Sequence, residues 1–271
     1  MKNSHALASL AFAGLFSFQA VTHGATLSFQ NDGVYSGAED ITLVSGASAA
    51  NNFGSHAGID AGAFGSDFFP SDPHVVRGLV RFNVSALAGQ FASINSITLR
   101  LNVLAVSGAN TVELFEPLAA LNGNWVQGTG DDTFQVGTST WNNKFEPGTA
   151  WFGGAGLGTL GYGGVLASNG YAGGFSGASD FVISNPAVAA ALITDFLTPG
   201  NNGGFLLKAT NESTAASNFI IFTSSDVLTV SQRPKLIVDY TPTPEPSCAV
   251  LLAAGALCLL SARRAGIRRA V

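Results

Sequence analysis

Apolar and polar residues alternate along much of this chain. Val76, Gly78, Val80, Phe82 and Val84 are interleaved with Arg77, Arg81 and Asn83, the period-two signature of a half-buried strand. Ile97, Leu99, Leu101, Val103 and Ala105 alternate in the same way with Thr98, Arg100 and Asn102. A polar, small-residue linker over 85–96 is expected between the two. Further strands are expected over 25–30, 40–44, 111–115, 205–209, 218–224 and 235–240, set off by Gly, Asn, Pro and Ser. Short strands punctuated this way predict a mainly β domain, an antiparallel sandwich.

Two stretches depart from that rhythm. Asn185 and Pro186 form an N-cap and first-turn pair, and Val188, Leu192 and Phe196 follow at helical spacing. One short helix is therefore expected, stopped by the glycines between 200 and 204. From 146 to 179 about a third of the residues are glycine, with Trp151, Phe152, Tyr162, Tyr171 and Phe175 among them. The entropy such a backbone loses on ordering predicts a long surface loop. Gly156, Gly158 and Gly161 match the dinucleotide fingerprint by letters, but no βαβ pattern surrounds them.

The two ends are of another kind. Residues 1–24 place Lys2 and His5 ahead of an apolar stretch from Ala6 to Val21, the order of a secretory signal peptide, with small residues before Ala25 for cleavage. An uncleaved anchor would expose the same domain. Residues 242–271 carry Pro244, Glu245 and Pro246, then an apolar run from Cys248 to Ala262, then Arg263, Arg264, Arg268 and Arg269. A helix over that run reaches only about 22 Å against about 30 Å of hydrocarbon, a marginal span. The arginines should hold their side in the cytoplasm and leave residues 25–241 outside. Pro244 and Pro246 cannot continue a helix, so Glu245 should be displayed in extended chain at the membrane face.

Proline-glutamate-proline, an apolar helix and an arginine cluster in that order resemble the PEP-CTERM sorting signal. The resemblance implies a membrane-embedded exosortase as partner, which would recognise Pro244, Glu245 and Pro246 and remove the tail. The catalytic cysteine would be the partner's, not Cys248 or Cys258. A plain single-span tail anchor gives the same topology.

A second resemblance covers most of the domain. The stretches from Arg77 to Ser85 and Ile94 to Leu101, Trp125, Thr140 with Trp141, and Pro234 to Tyr240 are similar to DNRLRE-domain proteins. Asn51, Asn52, Phe53 and Gly54 resemble that family's early Asn-rich turn. The resemblance implies a jelly-roll-like β-sandwich of bacterial surface proteins, with carbohydrate-binding relatives. This chain departs from it at Asn83, where an Asp is usual, and in the glycine-rich insert.

Charge and chemistry narrow the choice. Residues 25–241 hold sixteen carboxylates against seven Lys and Arg, which argues against a nucleic-acid partner. They hold no cysteine, so no disulfide supports them. His56 and His74 are their only histidines, and neither a zinc-ligand spacing nor a Gly-x-Ser-x-Gly elbow occurs. No catalytic residue is singled out, although carboxylates suitable for a glycosidase pair are plentiful. Asp131 and Asp132 could donate oxygens to Ca²⁺, as could Asp32, Glu39 and Asp40, but an adjacent pair falls short of the six to eight ligands calcium takes. No cofactor is otherwise expected.

Arg77, Arg81 and Arg100 point away from the apolar face, and if their strands pair they would form a basic stripe for uronate carboxylates. Trp125, Trp141 and Trp151 could offer stacking faces to sugar rings. The plainer alternative is that the arginines pair with local carboxylates and the tryptophans fill the core. The expectation is thus an exported, non-catalytic protein that meets the secretion translocon and an exosortase, is transiently anchored, and ends in the envelope or an extracellular polysaccharide matrix. A secreted polysaccharide-active enzyme and a purely structural spacer are the rival readings.

Overall fold

The computed structural model describes residues 24–243 together with Gly255. The expected signal peptide, the sorting tripeptide at Pro244, Glu245 and Pro246, the apolar run and the arginine cluster lie outside the described residues, Gly255 apart. Among the described residues no helix is long and apolar enough to cross a membrane.

Residues Gly24–Thr243 form one unit that is mainly β. Its strands are β1 (Ala25–Phe29), β2 (Ala38–Val44), β3 (Gly58–Phe64), β4 (His74–Phe82), β5 (Phe91–Ser107), β6 (Asn110–Pro117), β7 (Asn143–Phe145), β8 (Thr149–Ala150), β9 (Tyr162–Tyr171), β10 (Gly177–Ile183), β11 (Phe205–Ala209), β12 (Asn218–Thr223) and β13 (Lys235–Pro242). Among the described residues a single turn, α1 (Ala119–Asn122), one full helix, α2 (Pro186–Leu197), and three short 3-10 turns complete the regular structure.

Eleven strands make one curled antiparallel sheet in the order β1-β13-β5-β12-β3-β4-β11-β6-β9, with β10 on the free side of β5 and β2 on the free side of β4. Two long strands organise the curl. β5 pairs along one edge with β10, and along the other first with β13 and then, past Arg100, with β12. β4 does the same, with β2 on one edge and β3 followed by β11 on the other. β12 lies between β5 and β3 and pairs with both over Phe219–Phe222, and the curled sheet encloses apolar side chains.

The alternation in β4 and β5 decides what fills the curl. Val80 and Phe82 of β4 meet Leu99, Leu101 and Val103 of β5 in the main core, beside Phe181, Phe205 and Phe222. Gly78 lies where a Cβ would collide with Ile59 of β3 and crowd Leu207 of β11, so only glycine lets β3 and β11 close on the same stretch of β4. The helix forms as its cap signals: Asn185 Oδ1 accepts from the N–H groups of Ala187 at 3.0 Å and Val188 at 3.4 Å. Its Ala189, Leu192, Ile193 and Phe196 join the core, and the Phe196 ring meets Phe205 edge-on at 5.3 Å.

Three expectations need correction. The 85–96 linker is shorter, since β5 begins at Phe91. β13 runs through Pro242, which pairs with Phe91, so the fold extends past Thr241. The glycine-rich stretch is not one surface loop: β8, all of β9 and the start of β10 lie in it. β9 pairs with β6 through backbone groups that glycine supplies as well as any residue, and only Tyr171 of its ten residues is buried.

Candidate functional site

A second apolar cluster lies on the outer face of β2, β4, β11 and β6. Ile41, Leu43, Leu79, Phe115 and Leu206 supply the sheet side, and Trp125, Trp151 and Leu157 cover them from segment 118–161. This covering explains where the predicted site residues go. Trp125 is fully buried, and its indole N–H donates to Gly203 O at 2.8 Å. Trp151 is nearly as deep, its N–H donating to Thr140 O at 2.8 Å. Trp141 is half-buried and packs against the same cluster.

Arg77 and Arg81 emerge from β4 into this layer. The Arg81 guanidinium sits 4.5 Å from the Trp125 ring centre, and Arg77 lies 5.1 Å from that of Trp141. Arg77 holds Glu212 through two bonds of 2.7 Å and donates to Gly156 O at 2.6 Å and Leu157 O at 3.0 Å. Gly156 in turn packs against the Trp141 indole with no room for a Cβ, which gives the fingerprint-like glycines a packing role. Arg81 Nε donates to Glu39 at 2.6 Å. Both guanidinium groups are thus paired with a carboxylate of the protein itself.

Arg100 is elsewhere. β4 and β5 are not neighbours in the sheet, so the three arginines form no common stripe. Arg100 grips Asp180 of β10 with two bonds of 2.7 Å, and that contact pulls the Asp180 carboxyl below the usual range. Asp131 and Asp132 do not converge on a cation: Asp131 Oδ1 lies 3.0 Å from His56 Nδ1, while Asp132 Oδ1 accepts from Asn51 at 3.0 Å. Among the described residues no group of three or more His, Cys, Asp or Glu is arranged to hold a metal.

The Asn-rich turn has a structural task. Asn52 is fully buried and uses both ends of its amide: it donates to Gln127 O at 2.7 Å and Ser139 O at 3.0 Å, and accepts from the N–H groups of Gly54 at 3.0 Å and Gly130 at 2.9 Å. One side chain thereby ties segment 127–139 to the turn before β3.

Beside that turn opens a pocket of about 310 Å³, at the outer face of β2 and β3. His56 and His74 both line it, with Phe53, Phe64 and Phe69 as aromatic walls and Asp60, Asp72 and Asp132 as its carboxylates. Among the described residues no lysine or arginine lines it. His74 lies tilted against Phe64 at 5.3 Å and Phe69 at 5.1 Å, and Phe64 stacks on Phe219 at 4.1 Å. The acids are held differently. Asp72 Oδ1 accepts from Ala47 N at 3.2 Å, and Asp132 is bonded to Asn51. Asp60 on β3 is 5 % exposed, its Oδ1 has no hydrogen-bond partner among the described residues, and its Oδ2 is 3.9 Å from His56 Nε2. Burial raises the Asp60 carboxyl above the usual carboxylate range, with His56 pulling the other way.

In the sequence the two histidines stand out only by their scarcity, and Asp60 does not stand out at all. β3 reads Gly-Ile-Asp-Ala-Gly-Ala-Phe, in which two glycines and small alanines hide the alternation of Ile59, Ala61 and Ala63 inward with Asp60 outward. Compared with known proteins, the chain matches no family model and no curated protein.

Proposed function

We propose that this chain is an exported, non-catalytic envelope or matrix protein, sorted through a PEP-CTERM-type tail by an exosortase. Its domain is read as a jelly-roll-like sandwich of the DNRLRE kind, displayed outside the inner membrane and in contact with extracellular polysaccharide. One observation carries the sorting reading: the tripeptide Pro244, Glu245, Pro246 begins two residues after β13 ends at Pro242, followed by the apolar run and the arginines. A protease site placed there would be cut without unravelling the sheet. β1 likewise begins at Ala25, where the leader is expected to end, which supports export.

The internal pairing of Arg77 and Arg81 shifts the proposed polysaccharide contact away from them and onto the pocket at His56 and Asp60. Aromatic walls with a few polar groups suit a sugar or another small body. Intact-mass analysis of protein recovered from envelope and medium tests the sorting. A mass beginning near Ala25 and ending near the tripeptide is the expected result; a chain full length from Ala25 would replace sorting with plain anchorage.

The second reading, a polysaccharide-active enzyme, draws on the same pocket, where a buried carboxyl with a raised pKa stands next to a histidine. Turnover of acidic polysaccharide by the purified chain, abolished by Asp60→Asn, would favour it.

A further inference from the structure

We propose that the pocket between Asp60 and the rings of Phe53, Phe64 and Phe69 binds an organic ammonium ion, with the cation at the Asp60 carboxylate and its apolar body against the rings. The inference rests on reading this pocket as the ligand site, and not on export or sorting.

Asp60 lacks what a buried acid needs. A carboxylate removed from water needs hydrogen bonds or an opposite charge, and is costly without them. Asp40, the neighbouring buried acid on β2, obeys this: its Oδ2 accepts from Ser225 N at 2.7 Å. Asp60 is nearly as deep, yet no described residue hydrogen-bonds its Oδ1, and the His56 imidazole beside it stands at 3.9 Å, beyond hydrogen-bond reach. His56 is itself engaged at its other nitrogen by Asp131 at 3.0 Å. The protein therefore leaves one carboxyl on the pocket wall with accepting capacity unspent.

The rest of the wall selects the kind of cation. A hard divalent ion needs many converging oxygens, and Asp72 and Asp132 are tied to Ala47 and Asn51. Phenylalanine faces offer a negative quadrupole and an apolar surface, which favour an ammonium group carried on carbon. Among the described residues the lining holds no lysine or arginine, so no ammonium or guanidinium of the protein competes. The exposed ring of Phe69, 41 % accessible, stands at the mouth beside the more exposed Phe68.

Such an ammonium could come from a free amine or from a deacetylated amino sugar within a polysaccharide. Calorimetry on the purified full chain separates these sources, using n-butylammonium for the first and deacetylated chitotriose for the second. Fully acetylated chitotriose serves as the neutral counterpart. Binding of at least one amine, with acetylated chitotriose at least tenfold weaker, is the expected result. Asp60→Asn should weaken the amine at least tenfold, and Phe69→Ala, at an exposed position, several-fold. Equal binding of neutral and amine sugars, unchanged amine binding in a folded Asp60→Asn chain, or binding of Ca²⁺ but neither amine would each overturn it. An intact mass showing no tail removal would sink the sorting proposal and leave this one standing, whereas silence from both amines would do the reverse.

Discussion

The two outer regions of the β2–β4 side use charge in opposite ways. Under segment 118–161 two arginines and two of the three indoles are bonded internally: Arg77 to Glu212 and two carbonyls, Arg81 to Glu39, Trp125 to Gly203 O, Trp151 to Thr140 O. Around the pocket, on neighbouring β3, the buried carboxyl of Asp60 has no such partner at Oδ1 among the described residues. Residue types that advertise sugar binding in a sequence are therefore poor guides here. Unspent hydrogen-bonding capacity in the folded state is the better one, because satisfied groups have little left to offer a ligand.

The strongest way to break this comparison is at Trp125. Trp125→Ala empties a fully buried site and strips Gly203 O of its donor, so it should cost about 3–5 kcal/mol in urea unfolding. A change under about 1 kcal/mol would mean that the layer over β4 is not a true core. Iodide quenching gives an independent check: Trp125 and Trp151 should stay shielded, and any quenching should come from Trp141.

Stability against pH probes the buried acids on both sides. Burial raises Asp40 to about 7 and Glu116 to about 7, and pushes Asp60 in the same direction. Below about pH 3 these groups are protonated in both folded and unfolded chains. As pH climbs toward 7 the unfolded chain ionises first and is favoured, so stability should fall through that window and level off above it, by on the order of 2–4 kcal/mol. Asp40→Asn should flatten the fall by removing its most buried contributor. A stability that rises from pH 4 to 7 would contradict the arrangement.

Next in size is the Arg77 pair. Arg77→Met leaves Glu212, with a side chain 16 % exposed, facing only Lys208 at 3.5 Å, and also releases Gly156 O and Leu157 O. Lys208 softens the loss, so about 1–3 kcal/mol is expected, with part recovered by adding Glu212→Gln. No recovery in the double variant would show that packing against Trp141, rather than charge, dominates.

Much of the fold was legible because large residues marked it. β4, β5, β11, β12 and α2 were readable from Val, Ile, Leu and Phe at the right periods, and from an Asn-Pro cap. β3 and β9 were not, since Gly58, Gly62, Gly163, Gly164 and Gly170 contribute backbone pairing but no side-chain pattern. The same blindness hid the pocket, because Asp60 sits inside β3. Which arginine would find which acid was equally invisible: Glu39, Glu212 and Asp180 are 42, 135 and 80 residues from their partners, and only the sheet order brings them together.

The smallest expected effect is also the sharpest contrast with Arg77. Arg100 makes the same two-pronged contact, at the same 2.7 Å, with Asp180 across the β5–β10 pair. Its side chain is 48 % exposed and that of Asp180 37 %, against 12 % and 16 % for Arg77 and Glu212. Water and salt screen the open pair, and holding two mobile side chains together offsets much of what remains. Arg100→Ala should therefore cost less than about 1 kcal/mol in urea unfolding, and less again in molar salt. If it instead matched Arg77→Met, geometry rather than burial would set the strength of these pairs, and the covered layer over β4 would lose its claim to be different.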